Sequence, residues 1–388
     1  MRPLLVALLL STCALGCEQR AGSDAALDAD AAPPTDAEAG AFDGDAAGDA
    51  DAFALEMGVF DQAVLGGPAV YTVAGSGLRG FADGPAKSAQ FYWPSGLAVD
   101  AAGRIYVADS WNHRIRVIEG SQVRTFAGDG TPGDNDGPLL AARFNRPEGV
   151  AVGSDGRIYV ADRLNNRIRV LDPRTERVLT LAGNGDPGLA DGLLAAARFN
   201  WPTALAVRGL DELLVADSEN HAVRFVDALR VRTLAGTTTR DYVDGPVQSA
   251  RFDTPSGVAW LGGMVYVADR DNHAIRRFSI DLSVETVAGG GGPGYADGFA
   301  RSARLNFPMG LAVSGSTLYI ADRSNHRIRR LDGQQLSTVA GSGTPGYADG
   351  LPLSAQFNNP VALVLFQGRI YVADYDNHRI RVIVPAAP

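Results

Sequence analysis

The five histidines of the chain are its first candidates for chemistry, because an imidazole can act as a general base or bind a metal ion. The first, His113, lies in residues 105–116, which read I-Y-V-A-D-S-W-N-H-R-I-R. The others occupy the same place in further copies of this phrase: His221, His273, His326 and His378. Two interpretations compete, namely a ring of metal ligands or bases and a repeated structural contact.

An aspartate and an arginine recur with the phrase, once in each of six copies. The aspartates, at intervals of 52 to 55 residues, are Asp109, Asp162, Asp217, Asp269, Asp322 and Asp374. The arginines are Arg116, Arg169, Arg224, Arg276, Arg329 and Arg381. A fixed period near fifty residues is typical of an array of one supersecondary unit. An arginine inside a packed strand needs an ionic or carbonyl partner, so we expect each to bind the Asp or Asn of the adjacent turn.

One unit, residues 94–127, contains four short runs of β-branched and aromatic residues separated by turns. Four antiparallel strands per unit are typical of a propeller blade. The last unit, 360–384, stops after its third strand, and residues 70–74 match the missing fourth. The sequence therefore predicts an all-β fold: a six-bladed β-propeller of four-stranded antiparallel blades, closed by an N-terminal strand that completes the last blade.

The connection before each first strand carries an Asp-Gly pair, with aspartates at Asp83, Asp136, Asp191, Asp244, Asp297 and Asp349. In the third copy an alanine-rich stretch follows, residues 192–199. An aspartate before such a stretch is typical of an N-capped helix, here of about two turns. We therefore expect short helices in the inter-blade loops, with these carboxylates as caps and not as catalytic acids.

The triplet at the second turn of each unit resembles the signature of the NHL-repeat family, which is named after an Asn-His-Leu-like sequence. It reads Asn-His-Arg or Asn-His-Ala in five copies, and Asn165-Asn166-Arg167 is a degenerate sixth. A second phrase, V-A-G-x-G…D-G…A-x-F-x-x-P-x-G-x-A-V, is similar to repeats of bacterial exported proteins and of a thioredoxin-linked NHL protein. The resemblance covers residues 70–384 and implies a propeller. Six-bladed relatives include metal-dependent lactonases and an amidating lyase, whose sites use unique acids, amides or histidines in the channel.

The propeller decides between the two interpretations of the histidines. Each falls on a separate blade, too far from the others to share one metal ion at about 2 Å. We therefore expect each histidine to make a hydrogen bond that closes the turn between the second and third strands. The sequence predicts no metal ligand set and no cofactor.

The first 66 residues differ from the repeats. Residues 1–16 combine one early positive charge with a short apolar run, which predicts a signal peptide. Gly16-Cys17 resembles the end of a bacterial lipobox, which implies lipidation of Cys17; an ordinary cleaved signal is the alternative. Residues 17–66, rich in Ala, Asp, Gly and Pro, are predicted to be a disordered acidic tether. We expect an exported propeller, 67–388, lipid-anchored to the bacterial cell envelope at the outer membrane, on its periplasmic face or at the cell surface.

The net charge of −9 resides in this N-terminal region. Residues 18–61 hold twelve acidic residues against one base, whereas the chain after residue 61 has a formal charge of +1. A near-neutral body lacks the basic field that nucleic-acid binding requires. We therefore expect no nucleic-acid partner, and contact with a membrane only through the lipid anchor.

Positions that differ between the copies are free to specialise. The residue before the proline of each first strand is expected near the mouth of the central channel, one step from Glu148, and aromatic residues of two second-to-third turns join them. The predicted binding residues are Trp93, Trp111, Arg146, Glu148, Trp201, Phe307, Asn359 and Tyr375.

Three functions fit this sequence. A monomeric, non-enzymatic module that binds a protein, peptide or glycan at the rim carrying the long inter-blade loops has the most support. A hydrolase or lyase with a metal in the channel needs a converging set of unique side chains, for which only Glu148 and Asn359 are candidates. A structural scaffold for other envelope proteins is the third.

Overall fold

The β-branched and aromatic runs of the repeats fold as six antiparallel sheets, each of which is one blade of a propeller. The computed structural model describes residues 67–210, 212–280 and 282–385. The predicted signal peptide, the lipidation residue Cys17 and the tether, which together make up residues 1–66, lie outside the described residues. In the described part of the chain, no helix is long and apolar enough to span a bilayer.

Each blade starts at the central channel and runs outwards in chain order. We number the blades 1 to 6 by their first strands. These strands open at a proline and are Pro94–Val99, Pro147–Val152, Pro202–Gly209, Pro255–Leu261, Pro308–Ser314 and Pro360–Phe366. The second strands end at the repeated aspartate and are Ile105–Asp109, Ile158–Asp162, Glu212–Asp217, Met264–Asp269, Thr317–Asp322 and Arg369–Asp374.

The two outer strands complete each blade. The third strands are Arg114–Glu119, Arg167–Asp172, Ala222–Val226, Ala274–Phe278, Arg327–Asp332 and Arg379–Val384. The fourth strands of blades 1 to 5 are Gln122–Ala127, Arg177–Ala182, Arg230–Gly236, Ser283–Gly289 and Gln335–Ala340. The fourth strand of blade 6 is Ala69–Ala74, with Ala69 opposite Val384 and Tyr71 opposite Val382. The predicted six blades and their closure by an N-terminal strand are confirmed.

The connections with Asp-Gly pairs differ from the prediction. In blades 1 to 5 each adds a two-residue fifth strand at the outer edge: Gly84–Pro85, Gly137–Pro138, Gly192–Leu193, Gly245–Pro246 and Gly298–Phe299. The glycine has a positive φ, 142° at Gly192, so the chain extends instead of winding into a helix. The carboxylates bind the fourth strand, as Asp83 does by accepting from the N–H and hydroxyl of Thr125 at 3.0 and 2.9 Å. The expectation of two-turn, Asp-capped helices is therefore wrong, and the described connections contain only the one-turn 3-10 helix Leu139–Ala141.

Six hydrophobic clusters fill the junctions between neighbouring blades. Between blades 1 and 2, for example, Phe126, Val150 and Ile158 are buried together. Burial of one such side chain contributes about 1.5–3 kcal/mol. Because both faces of a blade are covered, the second strand Ile105–Asp109 is buried along its whole length. This explains why these strands read as continuous apolar runs without alternation.

The repeated aspartate and arginine form a buried ion pair in every blade, as predicted. In blade 1, Oδ2 of Asp109 accepts from Arg116 at 2.7 Å and from the side-chain amide of Asn112 at 2.8 Å. Its Oδ1 accepts from the N–H of Tyr92 at 2.8 Å. Arg116 also binds Asp83 at 2.5 Å. One network thereby joins the turn between the second and third strands, the third strand and the outer connection.

Burial raises the pKa of these aspartates, to about 6 at Asp162, Asp217 and Asp374, whereas the paired arginine and the N–H donors lower it. Every hydrogen bond described above is donated to the carboxyl oxygens, so the ionised form is the one that the site satisfies. Removal of one partner would break this buried pair, which costs about 3–5 kcal/mol.

Candidate functional site at the channel mouth

Six residues around the channel mouth share a strained backbone conformation. Each precedes the proline of a first strand and has a φ between 50° and 53°: Trp93, Arg146, Trp201, Thr254, Phe307 and Asn359. This left-handed region costs a residue other than glycine about 1–2 kcal/mol. It is least favourable for a β-branched residue such as Thr254. Strain of this kind persists only where surrounding contacts fix it.

A hydrogen bond from the preceding blade holds each strained residue, and we call this contact the latch. The N–H of Arg146 donates to Nδ1 of His113 at 3.2 Å. The N–H of Trp93 donates to Nδ1 of His378 at 3.3 Å and so links blade 6 to blade 1. Three further histidines accept at 3.1 to 3.2 Å: His221, His273 and His326. In blade 2, Oδ1 of Asn166 accepts from Trp201 at 3.1 Å in the same way.

The latch residue also ends the second-to-third turn. Five of these turns are one-turn 3-10 helices: Ser110–Asn112, Arg163–Asn165, Ser218–Asn220, Arg323–Asn325 and Tyr375–Asn377. His113 follows the first with a φ of 52° and donates its N–H to the carbonyl of Ser110. The turn-closing hydrogen bond expected of the histidine thus comes from its backbone. The contact of its side chain with the next blade is not apparent from the sequence.

The latch histidines are neutral. Burial lowers their pKa, to about 4 at His113 and His378, and the charges of Arg146 and Arg114 lower that of His113 further. Neutrality is required, because Nδ1 can accept a hydrogen bond only when it carries no proton. Among the described residues, no group of three or more His, Cys, Asp or Glu side chains could hold a metal ion.

Four aromatic side chains from blades 6 and 1 form one cluster at the mouth: Tyr92, Trp93, Trp111 and Tyr375. Trp93 is stacked on Tyr375 with ring centres 5.6 Å apart and planes 5° from parallel. The ring of Trp111 meets Trp93 edge-on at 4.8 Å and Tyr92 at 5.5 Å. From blade 2, the guanidinium of Arg146 lies 3.6 Å from the ring centre of Trp111. We call the four rings the aromatic cluster. With Arg146 beside them, the structure brings together four of the predicted binding residues: Trp93, Trp111, Arg146 and Tyr375.

Tyr92 was not among the predicted binding residues, although the sequence contains a signal for it. At the same place, two residues before the proline, the other five copies have a short polar residue: Asn145, Asn200, Asp253, Asn306 and Asn358. A large aromatic ring at a position that is otherwise Asn or Asp marks a specialised blade.

The predicted residues Glu148 and Trp201 both contact Arg163, which was not among the predicted binding residues and lies near Tyr375. Oε2 of Glu148 is 3.2 Å from Nε of Arg163, whose guanidinium lies 4.2 Å from the ring centre of Trp201. Burial raises the pKa of Tyr375 well above its usual range, with the charge of Glu148 raising it further and Arg323 lowering it. Charged groups of both signs therefore surround the phenol of Tyr375.

The remaining two predicted residues lie in separate pairs. Phe307 packs edge-on against its latch histidine, His273, with ring centres 4.6 Å apart. The side-chain amide of Asn359 donates to Asp376 at 2.6 Å. Asp376 directly follows Tyr375 of the aromatic cluster in the chain, whereas Phe307 lies at the start of blade 5. The mouth is therefore asymmetric, with its large aromatic surface on blades 6 and 1.

Below the mouth, the channel narrows to a cavity of about 70 Å³ lined by the first strands of all six blades. Glycines in these strands allow close backbone approach: a Cβ on Gly96 would lie 2.1 Å from the carbonyl oxygen of Glu148. A Cβ on Gly257 would lie equally close to the carbonyl oxygen of Met309. Pockets for drug-sized ligands enclose about 300–1,000 Å³. A ligand of that size is therefore too large for the interior of the channel.

The fold and this mouth define the class of protein as a six-bladed β-propeller with one copy of the repeat in each blade. The family model described as NHL repeat matches residues 91–118, 144–171 and 357–383. The chain is an NHL-repeat β-propeller, which confirms the resemblance seen in its repeated triplet.

Known proteins share this repeat over different lengths. The chain is 29% identical over 336 residues to NHL repeat-containing protein 2 of Homo sapiens, covering 75% of this chain and 46% of that protein. It therefore spans about half the length of this relative. It is 37% identical over 155 residues to the chloroplastic protein SUPPRESSOR OF QUENCHING 1 of Arabidopsis thaliana, covering 36% and 14%.

Among solved structures, an auxiliary nutrient binding protein from Bacteroides thetaiotaomicron VPI-5482 is 20% identical with a TM-score of 0.63. The match covers 81% of this chain and 76% of that one. At this identity the likeness concerns the fold alone.

Proposed function

We propose that this protein is a non-enzymatic binding module that captures a protein, peptide or glycan on its channel mouth, and that it is exported and lipid-anchored to the bacterial envelope through Cys17. The observation that carries the proposal is the aromatic cluster together with Arg146. Large aromatic rings and arginine are the side chains that dominate binding energy at protein interfaces. Rings that already pack against each other lose little conformational freedom when a ligand arrives.

The strain at the mouth supports the same function. Every blade pays a backbone cost at the residue before its first strand, yet the side chains there differ from blade to blade. Unfavourable backbone conformations cluster at ligand sites, where surrounding contacts hold them. The NHL propeller fold is consistent with a binding module, and one propeller of similar fold is described as an auxiliary nutrient binding protein.

The tryptophans provide a direct test. Three of the four in the chain lie at the mouth, namely Trp93, Trp111 and Trp201, and the fourth, Trp260, lies on blade 4 beside Arg208. Peptides and glycans selected on arrays are titrated into the full chain while tryptophan emission is recorded. We expect a saturable change that persists in Trp260→Phe, and an affinity reduced about tenfold or more in Trp93→Ala.

A ligand that binds Trp93→Ala as tightly as the native protein would contradict the proposal. So would an emission change that disappears with Trp260→Phe, because it would place the ligand away from the mouth. The scaffold alternative predicts no saturable ligand at the mouth. The hydrolase alternative predicts turnover of a bound ligand, which mass spectrometry of the titrated sample detects.

A further inference from the structure

A second candidate site lies between blades 4 and 5, away from the channel mouth. A cavity of about 290 Å³ opens there between the fourth strand of blade 4 and the outer connection of blade 5. Its apolar walls include Tyr266, Val287, Phe299 and Leu331, and its polar groups include Arg277 and Arg301. This volume is close to the lower end of the range for small-molecule pockets.

The six junctions show why this one is hollow. Two residues at corresponding positions lie in the outer part of each junction, one from a fourth strand and one from the next connection. From junction 1/2 to junction 6/1 the pairs are Phe126 and Leu139, Leu181 and Leu194, Leu234 and Val247, Val287 and Ala300, Val339 and Pro352, and Val73 and Ala86. At junction 1/2, Phe126 packs on the ring of Tyr106 at 5.1 Å. At junction 4/5 the corresponding Tyr266 lines the cavity instead.

Junction 6/1 has the same small pair as junction 4/5, yet a third residue compensates there. Tyr71 packs against the hydrophobic cluster of junction 6/1. The corresponding residue of blade 4 is Glu285, whose carboxylate binds Arg277, with Nε 2.9 Å from Oε1, and Arg301, with Nη2 3.3 Å from Oε2. Blade 4 therefore has Glu285 where blade 6 has the space-filling Tyr71, and the two arginines hold the carboxylate of Glu285 at the polar side of the cavity. The cavity exists because Val287 and Ala300 are small and because Glu285 does not fill the remaining space.

The charges around the cavity favour an anion. Two guanidinium groups share the single carboxylate of Glu285, so these three side chains carry a net charge of +1. Guanidinium groups have five N–H donors each and bind carboxylates and related anions in planar geometry. Arg277 also lies 3.5 Å from the hydroxyl of Tyr266. Phe299, which is 48% exposed, supplies an open apolar wall beside these donors.

We propose that this cavity binds a small amphipathic anion: one ring system or short aliphatic chain that carries a single carboxylate or sulfonate. The apolar part lies against Val287, Phe299 and Leu331, and the anionic group is received by Arg301 and Arg277. The site is independent of the ligand at the channel mouth, because it is built from blades 4 and 5 at the outer edge.

The test uses 1-anilinonaphthalene-8-sulfonate, an aromatic anion whose fluorescence rises in apolar surroundings, titrated into the folded full chain. The blocking variant combines Val287→Phe with Ala300→Leu and so transfers the type of pair found at junction 1/2. We expect it to lower the affinity for the probe about tenfold or more. Arg301→Gln is expected to lower the affinity about threefold, whereas Arg124→Gln, which changes an exposed arginine paired with Glu119, leaves it unchanged.

A second variant guards against misfolding of the blocked protein. Phe299→Ala removes the exposed apolar wall without adding volume and is also expected to weaken binding of the probe. Unchanged affinity in both the blocking variant and Phe299→Ala would overturn the proposal. Loss of the probe in Trp93→Ala would overturn it too, because the probe would then occupy the mouth. Benzoate that competes with the probe in the native protein, but not in the blocking variant, would support it.

Discussion

Two rings of residues meet in this propeller, and they differ in how much they vary. The buried Asp–Arg pairs are the same in all six blades, and the latch is a histidine in five blades and an asparagine, Asn166, in blade 2. The residues that the latches hold vary in size and polarity, from Trp93 to Thr254 and Asn359. The ring of ion pairs and latches is therefore constant, whereas the ring of mouth residues varies in sequence.

The difference follows from which atoms make the contacts. The latch binds the backbone N–H of the mouth residue, and the aspartate binds the N–H of the residue before it, Tyr92 in blade 1. Neither contact involves the mouth side chain. A backbone held in this way accepts a tryptophan, an arginine or a threonine in the same conformation. A constant framework therefore permits a variable surface.

The largest effect is expected when the constant ring is broken. Asp109→Ala removes the fully buried carboxylate of the pair and leaves the donors of Asn112 and Tyr92 without their acceptor. Breaking this buried pair should lower the free energy of unfolding by about 3–5 kcal/mol, measured by chemical denaturation. Asp134→Ala is the control, because Asp134 is 56% exposed and pairs with Arg167 at the surface. It should cost less than about 1 kcal/mol. Equal losses in the two variants would mean that the buried pair is not the framework described above.

A smaller effect is expected from acidification of the latch. The pKa of His113 and of His378 is lowered to about 4 in the folded state, below the usual value near 6.5. Between these pH values the unfolded chain binds more protons than the folded chain. Each latch histidine therefore lowers the free energy of unfolding as the pH falls from about 6.5 towards 4. At pH 5 the loss should reach about 1 kcal/mol per latch after allowance for partial exposure.

The variant His113→Asn with His378→Asn isolates this effect, because blade 2 already uses Asn166 as its latch. Unfolding free energies at pH 7.5 and pH 5 should differ less in the variant than in the native protein. The buried aspartates, whose pKa is raised, change stability with pH in the opposite direction, but they are present in both proteins and cancel. Identical pH dependence in the two proteins would show that the latch does not titrate.

The smallest effect is expected from relief of strain in the variable ring. Thr254→Asn places at a φ of 52° a residue that tolerates this conformation better, and should raise the free energy of unfolding by up to about 1 kcal/mol. Blade 6 provides the precedent, because Asn359 has the same φ and donates to Asp376, the counterpart of Asp271. Thr131→Asn, at an exposed position with ordinary backbone, should change nothing. Destabilisation by Thr254→Asn would mean that its hydroxyl contact with Asp271 outweighs the strain.

The sequence was sufficient for the fold because the period is a property of the chain itself. Six copies of Asp109 and its counterparts, together with the unpaired strand before the first full unit, determine six blades and their closure. The connections were mispredicted because the alanine-rich composition of 192–199 favours a helix locally, while the glycine and the outer strand of the blade impose an extended path. Tertiary pairing overrode local propensity there.

The mouth was predicted only in part. Position in the repeat placed Trp93, Trp111, Arg146 and Tyr375 on one rim, and the structure joins them. Their stacking depends on rotamers and on which blades are neighbours across the closure, which spacing along the chain does not encode. The latch escaped prediction for a related reason, since His113 meets its partner 33 residues later, in another blade.

The closure has a mechanical consequence. The one seam at which the ring lacks a peptide connection lies inside blade 6, between Ala69–Ala74 and Arg379–Val384, and not between two blades. To pull the ring open there, a backbone ladder must be unzipped, whereas two blades elsewhere meet mainly through side chains. The same geometry brings the first and last strands of the circle side by side, so the point at which the chain starts could be moved to another blade by circular permutation without altering the circle.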